Sequence, residues 1–162
     1  MIFVTVGTTY FDELIMEVDR LIEAGVIAEE ALAQIGSGSY LPKHMRWVRY
    51  LPELRCYYEA ARLVICHGGV GTVFEMLAIG RPFIAVANRS LVDDHQADLL
   101  RALAAREWCV CCYEVSRLAE TIEQFRSSRS YSGEAELARH VWNVLLDGEY
   151  QRRQGAGFTE GP

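Results

Sequence analysis

Leu63-Val64-Ile65-Cys66-His67-Gly68-Gly69-Val70-Gly71-Thr72-Val73-Phe74-Glu75 is the stretch from which the rest of the chain is read. Residues 63–66 form an unbroken apolar run, the pattern of a strand buried on both faces of a parallel sheet. Three glycines and a threonine follow, and then a helix to about Ile79 that Gly80 and Pro82 bring to an end. Glycines let the backbone come close to a ligand. A helix start offers unpaired N–H groups and the positive end of the helix dipole, so such a corner suits a phosphate or diphosphate. Thr72 can add a hydroxyl donor. Glu75, about one turn further in, carries a carboxylate that can accept two hydrogen bonds from a vicinal diol such as a ribose. The run is not a P-loop, because no G-x-x-x-x-G-K-[ST] pattern occurs. Nor is it a dinucleotide fingerprint: counted from Gly69, the third glycine is Phe74, and the acid is Glu75 rather than a residue some twenty positions on.

Working outward, strands and helices alternate at short spacing. Strands are predicted over residues 1–6, 31–35, 46–50, 63–66, 83–87 and 108–112. Phe11, Leu14, Ile15, Val18, Leu21 and Ile22 repeat at helical spacing, with Thr9 and Asp12 arranged as a capping box and Gly25 as the stop. Further helices are predicted from Pro52 to about 61, over 94–106 with Leu99, Leu100 and Leu103 facing in, and near 117–125 and 134–146. The alternation implies a single α/β domain with a mostly parallel sheet over residues 1–150, and the polar, Gly-rich residues 151–162 read as a flexible tail. Right-handed crossovers put every strand C-terminus on one edge, where such sheets bind ligands. Three glycine turns fall there: 7–9, 36–38 and 68–72.

Composition narrows the class. Apolar residues make up 51% of 162, which argues against disorder, and no apolar run approaches the ~20 residues of a membrane span. A secretory signal is absent from the pattern, so a cytoplasmic chain is expected. A net charge of −6 disfavours a nucleic-acid binder. Lys43, Arg46, Arg49, Arg55 and Arg62 make a basic stretch, read as a solvated rim or as a surface for an acidic partner or lipid headgroups. Cys56, Cys66, Cys109, Cys111 and Cys112 are an odd set of free thiols; the last three lack a second ligand pair at zinc spacing and read as small buried side chains on a strand.

Residues 67–75, with Gly80-Arg81-Pro82 and Asp94-His95-Gln96, resemble the donor-binding signature of GT-B glycosyltransferases, and more closely the C-terminal domain of glycosyltransferase family 28. The opening Val4-Thr5-Val6-Gly7-Thr8-Thr9-Tyr10-Phe11-Asp12, with Gln34-Ile35-Gly36 and Asn88, is similar to the small soluble subunits of two-component UDP-sugar transferases: the N-acetylglucosaminyltransferase of dolichol-linked glycan assembly and bacterial relatives in capsule and exopolysaccharide synthesis. The resemblance covers roughly residues 1–103. It implies a Rossmann-like domain equivalent to the donor-binding half of a GT-B enzyme. It implies Gly68, Gly69, Gly71 and Thr72 at the diphosphate and Glu75 at the ribose. Asp94 and Gln96, with His95 between them, would face the donor sugar. Gly7, Thr8 and Thr9 would line the cleft floor, and the backbone near Tyr50 would meet the uracil. His67 reads as a structural histidine or as a ligand contact, and His95 as a helix-start residue or a contact. Relatives place an Asn where this chain has Asp94, which bears on the sugar.

A GT-B site lies between two such halves. With the first strand at Met1, the resemblance implies a two-component, inverting enzyme. A membrane-anchored partner would carry the acceptor site and the catalytic base, and hold this chain at the cytoplasmic membrane face. The acceptor would be a polyprenyl-diphosphate-linked sugar. Helix N–H groups would stabilise the leaving UDP with no metal or other cofactor, since no Asp-x-Asp pair is present. The helix over 134–146, apolar around much of its circumference, would dock the partner through Trp142. Two other readings stay open: a non-catalytic accessory subunit, and a UDP-sugar epimerase.

Overall fold

A computed structural model describes residues 1–89, 95–106 and 108–127. Six strands form one sheet: β1 (Ile2–Thr5), β2 (Ala31–Gln34), β3 (Arg46–Val48), β4 (Leu63–His67), β5 (Phe83–Val86) and β6 (Val110–Cys112). Their order is β3-β2-β1-β4-β5-β6 and every pairing is parallel. The order reverses between β1 and β4, so the crevice of this doubly wound fold opens beyond their C-terminal ends.

Among the described residues five helices cover the two faces: α1 (Asp12–Glu23), α2 (Arg55–Ala60), α3 (Val70–Ile79), α4 (His95–Ala104) and α5 (Leu118–Ser127), the last preceded by a 3-10 turn over Val115–Arg117. The period-2 alternation of strand side chains decides which face each residue serves. Ile2, Val4, Ala33, Ile65 and Ile84 pack against Leu14, Ile15 and Val18 of α1 and against Leu118 and Ile122 of α5. Phe3, Val64, Cys66, Phe83 and Ala85 face the other way, toward Tyr58, Val73, Met76, Leu100 and Leu103 of α2, α3 and α4. Each fully buried Leu, Ile or Phe contributes about 1.5–3 kcal/mol. The sheet is therefore apolar on both sides, as the unbroken run at 63–66 requires.

Helix ends follow local chemistry. Gly80 closes α3 at φ 68, a left-handed position that costs glycine nothing, and its N–H donates to the Met76 and Leu77 carbonyls. Past α1, Gly25 donates to Ile22 and Val26 to Leu21, the expected stop. The capping box at Thr9 and Asp12 does not form. Phe11 precedes α1 with no side-chain cap, because the Asp12 carboxylate is engaged across the loops by the Ser39 N–H (3.0 Å) and hydroxyl (2.8 Å). Pro52 lies before α2 rather than within it: the Leu51 N–H is drawn 2.9 Å onto the Gln34 side chain, and the helix starts only at Arg55. The predicted strands at 46–50 and 108–112 are each shorter, at three residues. Residues 134–146, Trp142 and the tail 151–162 lie outside the described residues.

The four arginines of the basic stretch are locally matched. Arg46 sits 3.7 Å from Glu30, Arg55 is 2.8 Å from Glu59, and Arg62 donates at 2.8 Å to Glu29. Arg49 donates to the carbonyls of Gly36 and Gly38. These arginines form a rim with its own partners.

Candidate functional site

The site is built where β1 and β4 end side by side. Thr5 pairs with Cys66 in register, so Val6-Gly7 and His67-Gly68-Gly69 leave the sheet as neighbours. Gly7 takes φ 66, which admits glycine far more readily than any side chain, and its N–H is held by the Thr5 hydroxyl at 3.1 Å. Gly68 donates to the Val86 carbonyl at 2.7 Å and continues the β4–β5 ladder by one bond.

His67 fills the space between the two loops and is 8% exposed. A methyl on Gly7 would lie 2.9 Å from the imidazole Cε1, and one on Gly69 would fall on Nε2. Gly69 itself has ordinary extended backbone (φ −69, ψ 135). Its lack of a side chain therefore serves the ring, not the chain's path. Burial pushes the His67 pKa below its ordinary 6.5, so the ring is neutral at pH 7. Among the described residues Nδ1 has no partner within bonding distance, although the Thr5 backbone lies near enough to oppose the effect of burial. The close packing of the ring against Gly7 and Gly69 is what the structural reading of His67 requires.

Gly71 is different: a methyl there would meet nothing within 4 Å. It lies in the first turn of α3, exposed, with Thr72 half-buried beside it. Gly69 precedes the helix with no side-chain cap. The first intrahelical bond runs from Val73 to the Gly69 carbonyl, so the N–H groups of Val70, Gly71 and Thr72 have no acceptor within the helix. Unpaired N–H groups at a helix start are the kind of donors an anion can use, and the space beside Gly71 is open.

Glu75 follows one turn on and is solvent-exposed. Partial burial and then the charge of Glu53 raise its pKa, while the Tyr58 hydroxyl works in the opposite sense. Tyr58 is fully buried and, among the described residues, its hydroxyl has no partner at bonding distance. Burial, and then the Glu75 charge, push its phenol up. Tyr50, 53% exposed, opens the segment that carries Glu53 and Tyr58 to Glu75.

The remaining glycine turn serves the frame. Gly36 packs on the Thr9 carbonyl, which accepts from Ser37 at 3.0 Å, and Gly38 packs on the Asp12 carboxylate. Thr8 is exposed and Thr9 half-buried at the rim of this interlock. Asp94 lies outside the described residues. His95 and Gln96 form the first turn of α4, of which the backbone alone is described.

Three framing residues carry roles that the sequence reading did not assign. Gln34, 2% exposed, donates to the Gly7 carbonyl at 3.0 Å and accepts from Leu51 at 2.9 Å, tying the ends of β1, β2 and β3. Asn88 donates to the Tyr10 carbonyl at 3.2 Å and joins the end of β5 to the β1 loop. Arg81 reaches the Glu59 and Ala61 carbonyls at the end of α2, the last at 3.1 Å, so the Gly80-Arg81-Pro82 signature closes a neighbouring helix. A polar residue at the end of a buried strand was the available signal for Gln34 and Asn88.

Comparisons with known proteins agree with this architecture. Residues 1–141 match the glycosyltransferase family 28 C-terminal domain. The UDP-N-acetylglucosamine transferase subunit ALG13 of Mus musculus is 34% identical over 124 residues, 67% of this chain and 10% of that protein. The UDP-N-acetylglucosamine--N-acetylmuramyl-(pentapeptide) pyrophosphoryl-undecaprenol N-acetylglucosamine transferase of Burkholderia cenocepacia is 30% identical over 118 residues, 72% of this chain and 32% of that one. The chain thus spans between a tenth and a third of these relatives. Among solved structures, MurG of Acinetobacter baumannii superposes with a TM-score of 0.64 at 18% identity, over 90% of this chain and 49% of the other. The solution structure of ALG13 gives 0.59 at 17%, over 92% and 96%. These likenesses show the fold, that of one half of a GT-B glycosyltransferase. On the match over residues 1–141, the chain belongs to the glycosyltransferase family 28 C-terminal domain family.

Proposed function

We propose that this chain is the donor-binding subunit of a two-component, inverting glycosyltransferase that transfers a sugar from a UDP-sugar to a polyprenyl-diphosphate-linked acceptor. The observation that carries the reading is the open, uncapped start of α3 at the crevice between β1 and β4, with Glu75 one turn further in. The N–H groups of Val70, Gly71 and Thr72 hold the diphosphate, and Glu75 takes the ribose hydroxyls. Tyr50 stands toward the base. Asp94, His95 and Gln96 meet the sugar. N-acetylglucosamine is the favoured sugar, because the mouse and Burkholderia relatives are both named as transferases of it. The pathway is assembly of a lipid-linked glycan or polysaccharide.

In the reaction, an acceptor hydroxyl attacks the anomeric carbon from the face opposite UDP, and the bond to the β-phosphate oxygen breaks. Negative charge gathers on that phosphate, and the helix N–H groups, fixed in place beforehand, stabilise it. The proton leaves the hydroxyl to a base supplied by the partner subunit. That partner also anchors the pair at the membrane. His67, neutral at pH 7, shapes the floor and carries no charge to the phosphates.

Calorimetry of the purified chain with UDP tests the reading and separates it from a non-catalytic accessory, which need not bind donor. Glu75→Gln keeps the shape and removes the charged acceptor of two hydrogen bonds, with an expected loss on the order of 2–3 kcal/mol of UDP affinity. Equal affinity in the variant contradicts the ribose assignment. No UDP binding by the intact chain removes the donor-subunit reading altogether.

A further inference from the structure

Five cysteines are present and the site above uses none of them. Their placement is not uniform. Cys56 is exposed on α2, Cys66 is fully buried in β4, and Cys112 turns into the core shared with α1 and α5. Cys109 and Cys111, two positions apart, lie on the opposite face beside α4. Their sulfur atoms are 3.3 Å apart, inside the contact distance of two unbonded sulfurs. The Cys111 thiol also reaches the Leu100 carbonyl at 3.3 Å and the Cys109 carbonyl at 3.9 Å. Cys111 is half-buried, so a small oxidant meets it before Cys109, which is 6% exposed.

We propose that Cys109 and Cys111 are a modification site, a dithiol that low-molecular-weight disulfides convert to an intrachain disulfide with Cys111 as the attacking thiol. The asymmetry of the pair supports this order of events. The Cys109 S–H, donating to the Cys111 sulfur, lowers the Cys111 pKa against the effect of burial, and the Tyr113 hydroxyl adds to it; Cys109 is correspondingly raised. The thiolate is the nucleophile in such exchange. The Cys111 thiolate attacks one sulfur of oxidised glutathione and expels one glutathione thiolate. Cys109 then loses its proton and attacks the Cys111 sulfur of the mixed disulfide, expelling the second glutathione. Two protein thiols and one small disulfide become one protein disulfide and two small thiols, with two electrons passing to glutathione. A disulfide across one intervening residue is strained and therefore easily reduced, which suits a reversible modification. Formation removes the S–H that Cys111 offers to Leu100, and with it one tie between β6 and α4.

The test is to equilibrate the full chain with oxidised and reduced glutathione in graded ratio, quench in acid and map the peptides. The tryptic peptide 107–117 holds Cys109, Cys111 and Cys112. It should become lighter by two hydrogen atoms, titratable thiols should fall by two from five, and reductant should reverse both changes. Cys112→Ser should leave the change intact. In Cys109→Ser, Cys111 should instead retain a glutathione adduct. The inference is overturned if wild-type chain accumulates a stable glutathione adduct at Cys111, if Cys56 alone reacts, or if Cys112→Ser abolishes the loss of hydrogen. The wild-type map decides the matter even if a serine variant folds poorly.

Discussion

Gly69→Ala isolates the claim that the loop glycines make room for the His67 ring. At φ −69 and ψ 135 an alanine is unstrained, and by restricting the unfolded chain it would by itself gain about 0.4–1 kcal/mol. The added methyl falls on Nε2 of a ring that is 8% exposed and bordered by Gly7 on another side, so the ring has little room to move away. Forcing a methyl into a packed site costs about 1–3 kcal/mol. The net expectation is a loss of about 1–2 kcal/mol, or roughly 2–8 °C in Tm for a domain of this size. In a His67→Ala background the obstruction is gone, and Gly69→Ala should be neutral or stabilising by up to about 1 kcal/mol. Urea denaturation of the four proteins, followed by far-UV circular dichroism, reads the coupling, expected at about 1–3 kcal/mol. Gly7→Ala is the contrast: with φ 66 it should keep a backbone penalty even without the ring. Equal costs of Gly69→Ala in both backgrounds, or no cost in either, would refute the reasoning.

Tyr58→Phe should leave stability unchanged or raise it by up to about 1 kcal/mol, because it deletes a buried hydroxyl with no partner at bonding distance among the described residues. A stability loss above about 1 kcal/mol, read by urea denaturation, would show that the hydroxyl is bonded to the Glu75 carboxylate, whose charge acts on its phenol. The folded-state pKa of His67 lies below its unfolded 6.5, so its contribution is fully present above pH 6.5 and is lost as pH falls below that value, where the unfolded chain takes up the proton first. Asp19, 2% exposed, would be raised by burial, but the Lys43 and His44 N–H groups, the Tyr40 hydroxyl and His44 together lower it, so its contribution is lost only below about pH 4. Denaturation midpoints between pH 7 and 5 should therefore decline in wild type and flatten in His67→Gln, with the later acid loss unchanged.

Much of this was legible in the sequence. The apolar run at 63–66 and the period-2 and helical patterns around it placed all six strands and the described helices, because burial on two faces leaves a strong signal. The glycines were legible as a group but not by purpose. Gly69 and Gly36 look like ligand loops in sequence; what the sequence does not show is that a side chain on one would meet an imidazole and on the other the Thr9 carbonyl, contacts set by the fold. Asp12 failed as a capping residue for the same reason: local spacing offered one partner and the neighbouring loop supplied a better one, Ser39. Tyr58 escaped notice, and Gln34 stood in a motif without a role, because their significance comes from what α3 and β1 bring beside them.

The groups left open at the start of α3 belong to the main chain, and that decides which experiments can see them. An alanine scan of residues 67–72 would record packing defects while every N–H donor remained in place. The genetically encoded counterpart of deleting a donor is proline. Val70, half-exposed at the first helical position, is where proline fits without breaking the helix. Val70→Pro removes one N–H and little else, so recognition written in the backbone becomes addressable by a single codon.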